Sequence, residues 1–86
     1  MKVLIIDDET KARQLLKAIL EEYCPDITEI FLAENLLAGV ELIKKEDFQL
    51  VFLDIEMPKH SGLELFDFID VKEVNFDLIF ATAYSE

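Results

Sequence analysis

Short apolar runs alternate along this chain with segments in which apolar residues recur every three or four positions. The runs are rich in Val, Ile, Leu and Phe and are bounded by polar residues, a pattern typical of strands buried on both faces of a sheet. We predict four such strands, at residues 2–7, 27–33, 48–54 and 76–83. The segments between them have the period of amphipathic helices.

Each predicted helix has a predicted buried face. The first helix ends before the Cys24–Pro25 turn, because proline disfavours helical backbone in the residue that precedes it. Its predicted face consists of Ala12, Leu15, Leu16, Ile19 and Tyr23. The second helix begins after Asn35, a good capping residue, and is predicted to bury Leu36, Val40 and Ile43. The third begins after Ser61 and is predicted to bury Leu63, Phe66 and Ile69, with Leu65 and Phe68 as further candidates.

The alternation of strands and helices predicts the fold class. Successive strands joined by helices are parallel and connected by right-handed crossovers, with helices on both faces of the sheet. We therefore predict an α/β domain with a doubly wound parallel sheet. In such sheets the functional loops lie at the carboxyl ends of the strands.

Composition and charge exclude several partners. The 86 residues suffice for one small domain, and 19 acidic against 8 basic residues give a formal net charge of −11. That charge disfavours nucleic acid and anionic membranes, whereas cations and basic protein surfaces remain plausible partners. A single cysteine excludes an intramolecular disulfide, and no apolar run approaches the roughly 20 residues needed to cross a bilayer. We expect a cytoplasmic protein with no membrane contact.

Three acidic residues follow predicted strands. Asp7 and Asp8 end the first strand and Asp54 ends the third, so all three converge if these strands are neighbours. Each pair of like charges about 4 Å apart repels by about 4 kcal/mol at an effective dielectric near 20. A hard divalent cation such as Mg²⁺ would compensate, since it binds carboxylates together with phosphate oxygens. The ion would let Asp54 act as a nucleophile toward phosphorus, and the Thr82 hydroxyl could donate to a phosphoryl oxygen.

Three stretches carry a family resemblance. "LIIDDE", "FLDIEMPKHSG" and "IFATAY", in this order and spacing, resemble the receiver domain of two-component response regulators along the whole chain. The resemblance implies a flavodoxin-like sheet with strand order 2-1-3-4. The stretches "FLDIEMP" and "TAYSE" are similar to the corresponding stretches of regulators of the LytTR type, in which the receiver precedes a DNA-binding domain.

The resemblance also implies roles for single residues. Asp54 would accept a phosphoryl group from a sensor histidine kinase, and Asp8 and Asp54 would bind Mg²⁺ directly while Asp7 acts through a water. Glu56 would contribute its backbone carbonyl to the metal. Two further residues complete the implied catalytic set beside Asp54, namely Thr82 and Ala83. DNA would be contacted only through an output domain outside this sequence.

The family pattern extends beyond the last residue of this sequence. It continues through a fourth helix, a fifth strand that carries a lysine, and a fifth helix, so we expect residues 1–86 to be an incomplete receiver domain that controls an output. The fourth strand would then have an uncovered apolar edge, a liability for pairing with another chain. We therefore predict self-association through residues 76–83.

The residues leave two alternative functions open. One alternative is a protein-binding module that does not use phosphate. Another is an aspartyl-nucleophile phosphohydrolase, which the sequence disfavours because such enzymes carry an Asp-x-Asp pattern after the first strand, whereas Glu9 stands two residues past Asp7.

His60 is predicted to be an exposed loop residue. Tyr84 is either an exposed loop aromatic or a cover over the acceptor.

Overall fold

Four parallel strands form one sheet in the computed structural model, which describes residues 1–81. The strands are β1 (Lys2–Ile6), β2 (Glu29–Ala33), β3 (Leu50–Asp54) and β4 (Asp77–Ala81). Their order across the sheet is β2-β1-β3-β4, and every neighbouring pair is parallel. The predicted α/β class and the strand order 2-1-3-4 are confirmed.

Helical segments connect the strands. They are α1 (Thr10–Tyr23), α2 (Leu36–Lys45) and α3 (Leu65–Phe68), with 3₁₀ turns at Gly62–Glu64 and Val71–Glu73. One hydrophobic cluster joins α1 to one face of the sheet, and a larger cluster joins α2 and α3 to the other face. None of the helices in the described part of the chain is long and apolar enough to span a membrane.

The central strand β1 is buried on both faces. Val3 and Ile5 pack in the cluster that contains α1, whereas Leu4 and Ile6 pack in the cluster that contains α2 and α3. All four side chains are almost completely buried, as the unbroken apolar run predicts for a strand covered by helices on two sides. Asp7 follows directly, so the polar site begins where the buried strand ends.

Helix α2 begins at its predicted cap. The Asn35 side chain accepts a hydrogen bond of 2.8 Å from the backbone N–H of Ala38, an interaction that typically stabilises a helix by about 1 kcal/mol. The predicted face of Leu36, Val40 and Ile43 is buried. This cap fixes the loop between β2 and α2 beside the carboxyl end of β1.

The predicted face of α1 is partly wrong. Leu20 is buried and Leu16 packs beside it, but Leu15 is 62% exposed and Tyr23 is 75% exposed, with Ile19 also exposed. The buried stripe is narrower than the periodicity suggests, because only one side of α1 meets the sheet within residues 1–81.

The third helix also differs from its prediction. Leu63 and Phe66 are exposed, whereas Leu65 and Ile69 are buried. The physical reason is the 3₁₀ turn at Gly62–Glu64, which has about three residues per turn and therefore shifts the phase of the short α-helix that follows. Of the three residues assigned to the buried face only Ile69 is confirmed, and the further candidate Leu65 is buried as well.

Candidate metal centre

Three carboxylates meet at the carboxyl ends of β1 and β3. These strands are neighbours, and Ile6 is in register with Leu53, so the residues that follow each strand lie side by side. Asp7, Asp8 and Asp54 each offer an oxygen atom, and these atoms lie within 4.8 Å of one another. The sheet thus brings together the three acids that the sequence predicts to converge.

Asp54 is the buried member of the group. Its residue surface is only 5% exposed, whereas Asp7 and Asp8 are half-buried. The backbone N–H of Glu56 donates a 3.1 Å hydrogen bond to Asp54 Oδ1, and the backbone N–H of Glu9 donates one of 2.9 Å to Asp7 Oδ1. Each carboxylate is therefore oriented by a turn that follows its strand.

The electrostatics of the site follow from this burial. The pKa of Asp54 is raised from 3.8 to about 6, chiefly because burial removes solvent from the carboxylate; the neighbouring acids Asp7 and Asp8 contribute to the rise, and the hydrogen bond from the Glu56 N–H opposes it. Burial disfavours the charged carboxylate, and nearby negative charges act in the same direction. The site therefore holds its negative charge at a cost in free energy.

No basic side chain of residues 1–81 lies within 4.0 Å of these three carboxylates. The Arg13 guanidinium donates a 2.7 Å hydrogen bond to the backbone oxygen of Asp7 and not to its carboxylate. Three hard oxygen donors without a protein cation match the chemistry that Mg²⁺ prefers. The residues present therefore fit this ion.

The remaining predicted site residues lie elsewhere or outside the described range. The Glu56 side chain is exposed and does not belong to the cluster of acids. Thr82, Ala83 and Tyr84 lie outside the residues that the structure describes. The strand that leads to them is in place, because the backbone N–H of Ile55 donates to the oxygen of Ala81 over 3.2 Å.

The loop after β3 contains a feature that the sequence predictions missed. Ser61 and Glu64 form a reciprocal capping box around the turn at Gly62–Glu64. His60 is half-buried rather than exposed, because its ring packs edge-on against Phe68 with centroids 5.2 Å apart. The Ser-x-x-Glu spacing is a known signal of such a box and would have revealed it.

Gly62 closes this loop against the strand end. Its backbone N–H donates a 2.9 Å hydrogen bond to the oxygen of Ile55. A Cβ at this position would overlap the backbone oxygen of Asp54 and press on the side chain of Leu53. The loop therefore approaches the Asp54 backbone so closely that only glycine fits at position 62.

An open groove leads to Asp54 from the side of α1. It has a volume of about 280 Å³, and α1 supplies most of its apolar wall. The α1 residues that line it are Ala12, Leu15, Leu16 and Ile19. Asp7 and Asp54 lie at its polar end, so the buried carboxylate can be reached from this direction.

Comparison with known proteins agrees with the fold. The family described as "Response regulator receiver domain" matches residues 3–86. The transcriptional regulatory protein BtsR of Escherichia coli K12 is 37% identical over all 86 residues, which make up 35% of its length. A response regulatory protein of Shewanella oneidensis is 41% identical over 83 residues, 34% of its length. The chain thus spans about a third of these relatives.

Solved structures show the same likeness. The response regulator TrrA of Thermotoga maritima, determined in complex with Mg²⁺ and beryllium fluoride, is 40% identical with a TM-score of 0.83, and the match covers 98% of this chain and 70% of TrrA. TrrA was also solved in complex with the histidine kinase ThkA. The response regulator MaeR shares the fold, with a TM-score of 0.86 at 23% identity. The chain belongs to the response regulator receiver domain family.

Proposed function

We propose that this chain is a phosphorylation-controlled signalling switch in which Asp54 is the phosphoacceptor. The observation that carries the proposal is the buried Asp54 carboxylate, held with those of Asp7 and Asp8 within 4.8 Å and without a protein cation among the described residues. Three such carboxylates are better explained by a role in phosphoryl transfer than by a role in stabilising the fold, because uncompensated buried charge destabilises a fold.

The proposed metal ligands are those that the family resemblance implies, and three of them belong to the cluster of acids. We propose that Asp8 and Asp54 bind Mg²⁺ directly, that Asp7 acts through a water, and that Glu56 contributes its backbone carbonyl. When bound, the ion would neutralise the carboxylates and hold phosphoryl oxygens. The complex of TrrA with Mg²⁺ and beryllium fluoride supports Mg²⁺ as the ion.

The transfer step uses one oxygen of Asp54. Oδ1 is engaged by the Glu56 N–H, so the other oxygen forms the new bond to phosphorus while the bond from phosphorus to the donor nitrogen or oxygen breaks. The product is an acyl phosphate and the free donor. Thr82 and Ala83 are proposed to contact the phosphoryl oxygens, the first through its hydroxyl.

The proposed partner is a sensor histidine kinase. The TrrA–ThkA complex supports this partner class, and relatives named as transcriptional regulators support an output domain that binds DNA. We propose that this output domain is of the LytTR type, as the family resemblance implies. Bacterial transcription takes place in the cytoplasm, which supports the predicted location. We further propose that residues 1–86 are part of a longer receiver domain, since they cover about 70% of TrrA.

The test is uptake of one phosphoryl group. We expect the chain, incubated with Mg²⁺ and acetyl phosphate, to gain the mass of one phosphoryl group on Asp54, and we expect the gain to vanish with a chelator. Asp54→Asn should remove it completely. Asp67→Asn is the matched control, because Asp67 is an exposed acid on α3 outside the cluster.

Three outcomes would contradict the proposal. Continuous hydrolysis of acetyl phosphate without an adduct on Asp54 would favour a phosphohydrolase. A chain that binds kinase or other protein but takes up no phosphoryl group, with or without Mg²⁺, would favour the binding module. An adduct at any acid other than Asp54 would overturn the assignment of the acceptor.

We also propose that the chain of residues 1–86 self-associates through β4. Among the described residues no strand pairs with its outer edge, and Ile79 and Phe80 are 45% and 41% exposed. Antiparallel pairing of two β4 strands about Ile79 would place Asp77 opposite Ala81 and would oppose no like charges. Sedimentation should show dimers that Ile79→Lys abolishes, and a compact monomer at high concentration would contradict the proposal.

A further inference from the structure

We propose that Glu64 is a positioning residue for the phosphoacceptor, a role that rests on the proposed function of Asp54. Glu64 does not touch the acidic cluster. It holds the far end of the loop that begins at the acceptor, and thereby keeps Asp54 and the Glu56 backbone in the arrangement that binds the metal.

The first step of the argument is the carboxylate of Glu64 itself. Its Oε2 accepts a 2.6 Å hydrogen bond from the backbone N–H of Ser61. Its Oε1 lies 3.4 Å from His60 Nδ1, and the His60 ring is in turn held by Phe68. One side chain therefore fixes two consecutive residues of the loop.

The second step is the short path from Ser61 to the acceptor. The next residue, Gly62, donates to the backbone oxygen of Ile55 over 2.9 Å and lies where an added Cβ would overlap the backbone oxygen of Asp54. Ile55 connects Asp54 to Glu56, whose N–H orients the acceptor carboxylate. Displacement of Ser61 would therefore loosen the backbone that orients Asp54.

The third step concerns preorganisation. A metal site whose ligands are already held loses less conformational freedom on binding than a site that must be ordered by the ion. The Glu64 hydrogen bond orders the loop in advance. Its removal should therefore weaken Mg²⁺ binding as well as the local fold.

A second capping box offers a matched control. Asp70 and Glu73 form the same reciprocal pair around the 3₁₀ turn at Val71–Glu73, where the Asp70 N–H donates to Glu73 Oε1 over 3.1 Å. Glu73 also lies 3.7 Å from the ammonium of Lys44 in an exposed pair. No side-chain hydrogen bond or ion pair among the described residues joins Asp70 or Glu73 to the loop after β3, so this box reports the purely structural effect of losing a cap.

The experiment compares Glu64→Ala, Glu64→Gln and Glu73→Ala with the original chain. For each, the Mg²⁺ dissociation constant is measured by titration, and amide hydrogen exchange is measured across residues 55–62. We expect Glu64→Ala to weaken Mg²⁺ binding about threefold to tenfold, the range that loss of one cap implies, and to speed exchange in this loop. Glu64→Gln should stay within about twofold, because its amide oxygen still accepts from Ser61.

Three results would overturn the proposal. The first is equal Mg²⁺ affinity in Glu64→Ala and Glu73→Ala. The second is a Glu64→Gln variant as weak as Glu64→Ala, which would mean that the charge of Glu64 acts at a distance. The third is loop exchange that Glu64→Ala leaves unchanged. If Glu64→Ala does not fold, Glu64→Asp supplies the comparison, because its shorter side chain keeps the charge and withdraws it from Ser61.

Failure of this inference is distinguishable from failure of the proposed function. If the original chain binds no Mg²⁺ and takes up no phosphoryl group, the proposed function fails. Exchange at the Glu56 amide then still tests positioning, since faster exchange in Glu64→Ala than in Glu73→Ala supports it and equal rates refute it.

Discussion

Without divalent metal, Asp54→Asn is expected to raise the free energy of unfolding by about 3 kcal/mol above pH 6. Burial raises the pKa of Asp54 from 3.8 to about 6 in the folded chain, and each pKa unit corresponds to about 1.4 kcal/mol. Asparagine keeps an oxygen that can accept the Glu56 N–H but carries no charge. The variant therefore avoids the cost of ionising a buried group beside Asp7 and Asp8.

The sign of the pH dependence follows from proton binding. Between about pH 4 and pH 6 the folded chain binds a proton at Asp54 more tightly than the unfolded chain does, so this residue makes the original chain less stable as pH rises through that window. Below pH 4 Asp54 is protonated in both the folded and the unfolded chain, and above pH 6 it is ionised in both. The difference in free energy of unfolding between the original chain and the variant is therefore near zero at low pH and constant at high pH.

Urea unfolding in the presence of a chelator, from pH 4 to pH 8, measures this difference. At each pH the free energy of unfolding of the variant is subtracted from that of the original chain, which removes the contribution that titration of the other acids makes to both. Added Mg²⁺ should stabilise the original chain by mass action and should have a much smaller effect on the variant. A stability difference that does not change between pH 4 and pH 7 would contradict the prediction, and Asp67→Asn shows what loss of an exposed acid does.

The fold could be predicted because the apolar runs allow one interpretation. Val3 to Ile6 are apolar without a break, and a short run rich in β-branched residues is typical of a strand covered on both faces. Helix periodicity is less informative about burial, since it identifies a helix without showing how much of its surface the sheet covers. Leu15 and Phe66 were therefore predicted to be buried although the structure leaves them exposed.

The convergence of the acids could also be predicted, because residues after adjacent parallel strands meet at one edge. The size of the rise in the Asp54 pKa could not be predicted from the sequence, since it depends on the burial of one carboxylate beside two half-buried ones. The role of Glu64 was missed although its spacing from Ser61 is visible in the sequence. A capping pattern predicts a turn, but only the structure shows that this turn closes on the acceptor.

Gly62→Ala is expected to destabilise the chain by about 3 kcal/mol and to weaken Mg²⁺ binding. The added methyl group would overlap the backbone oxygen of Asp54 and crowd the Leu53 side chain. A carbonyl in a paired strand has little freedom to move, so the loop must shift instead, and overpacking of this kind costs about 1–3 kcal/mol or more. Urea unfolding with a chelator measures the stability and titration measures the metal affinity.

The chain's other glycine is the matched control. A methyl group at Gly39 would meet the end of the Ile6 side chain rather than backbone, and alanine is favoured over glycine inside a helix by about 1 kcal/mol. Gly39→Ala should therefore lose less stability than Gly62→Ala and should retain its Mg²⁺ affinity. Equal losses in the two variants would show that backbone contact at the acceptor has no special cost. Unchanged Mg²⁺ binding in a folded Gly62→Ala variant would show that the close approach of Gly62 does not set the position of Asp54.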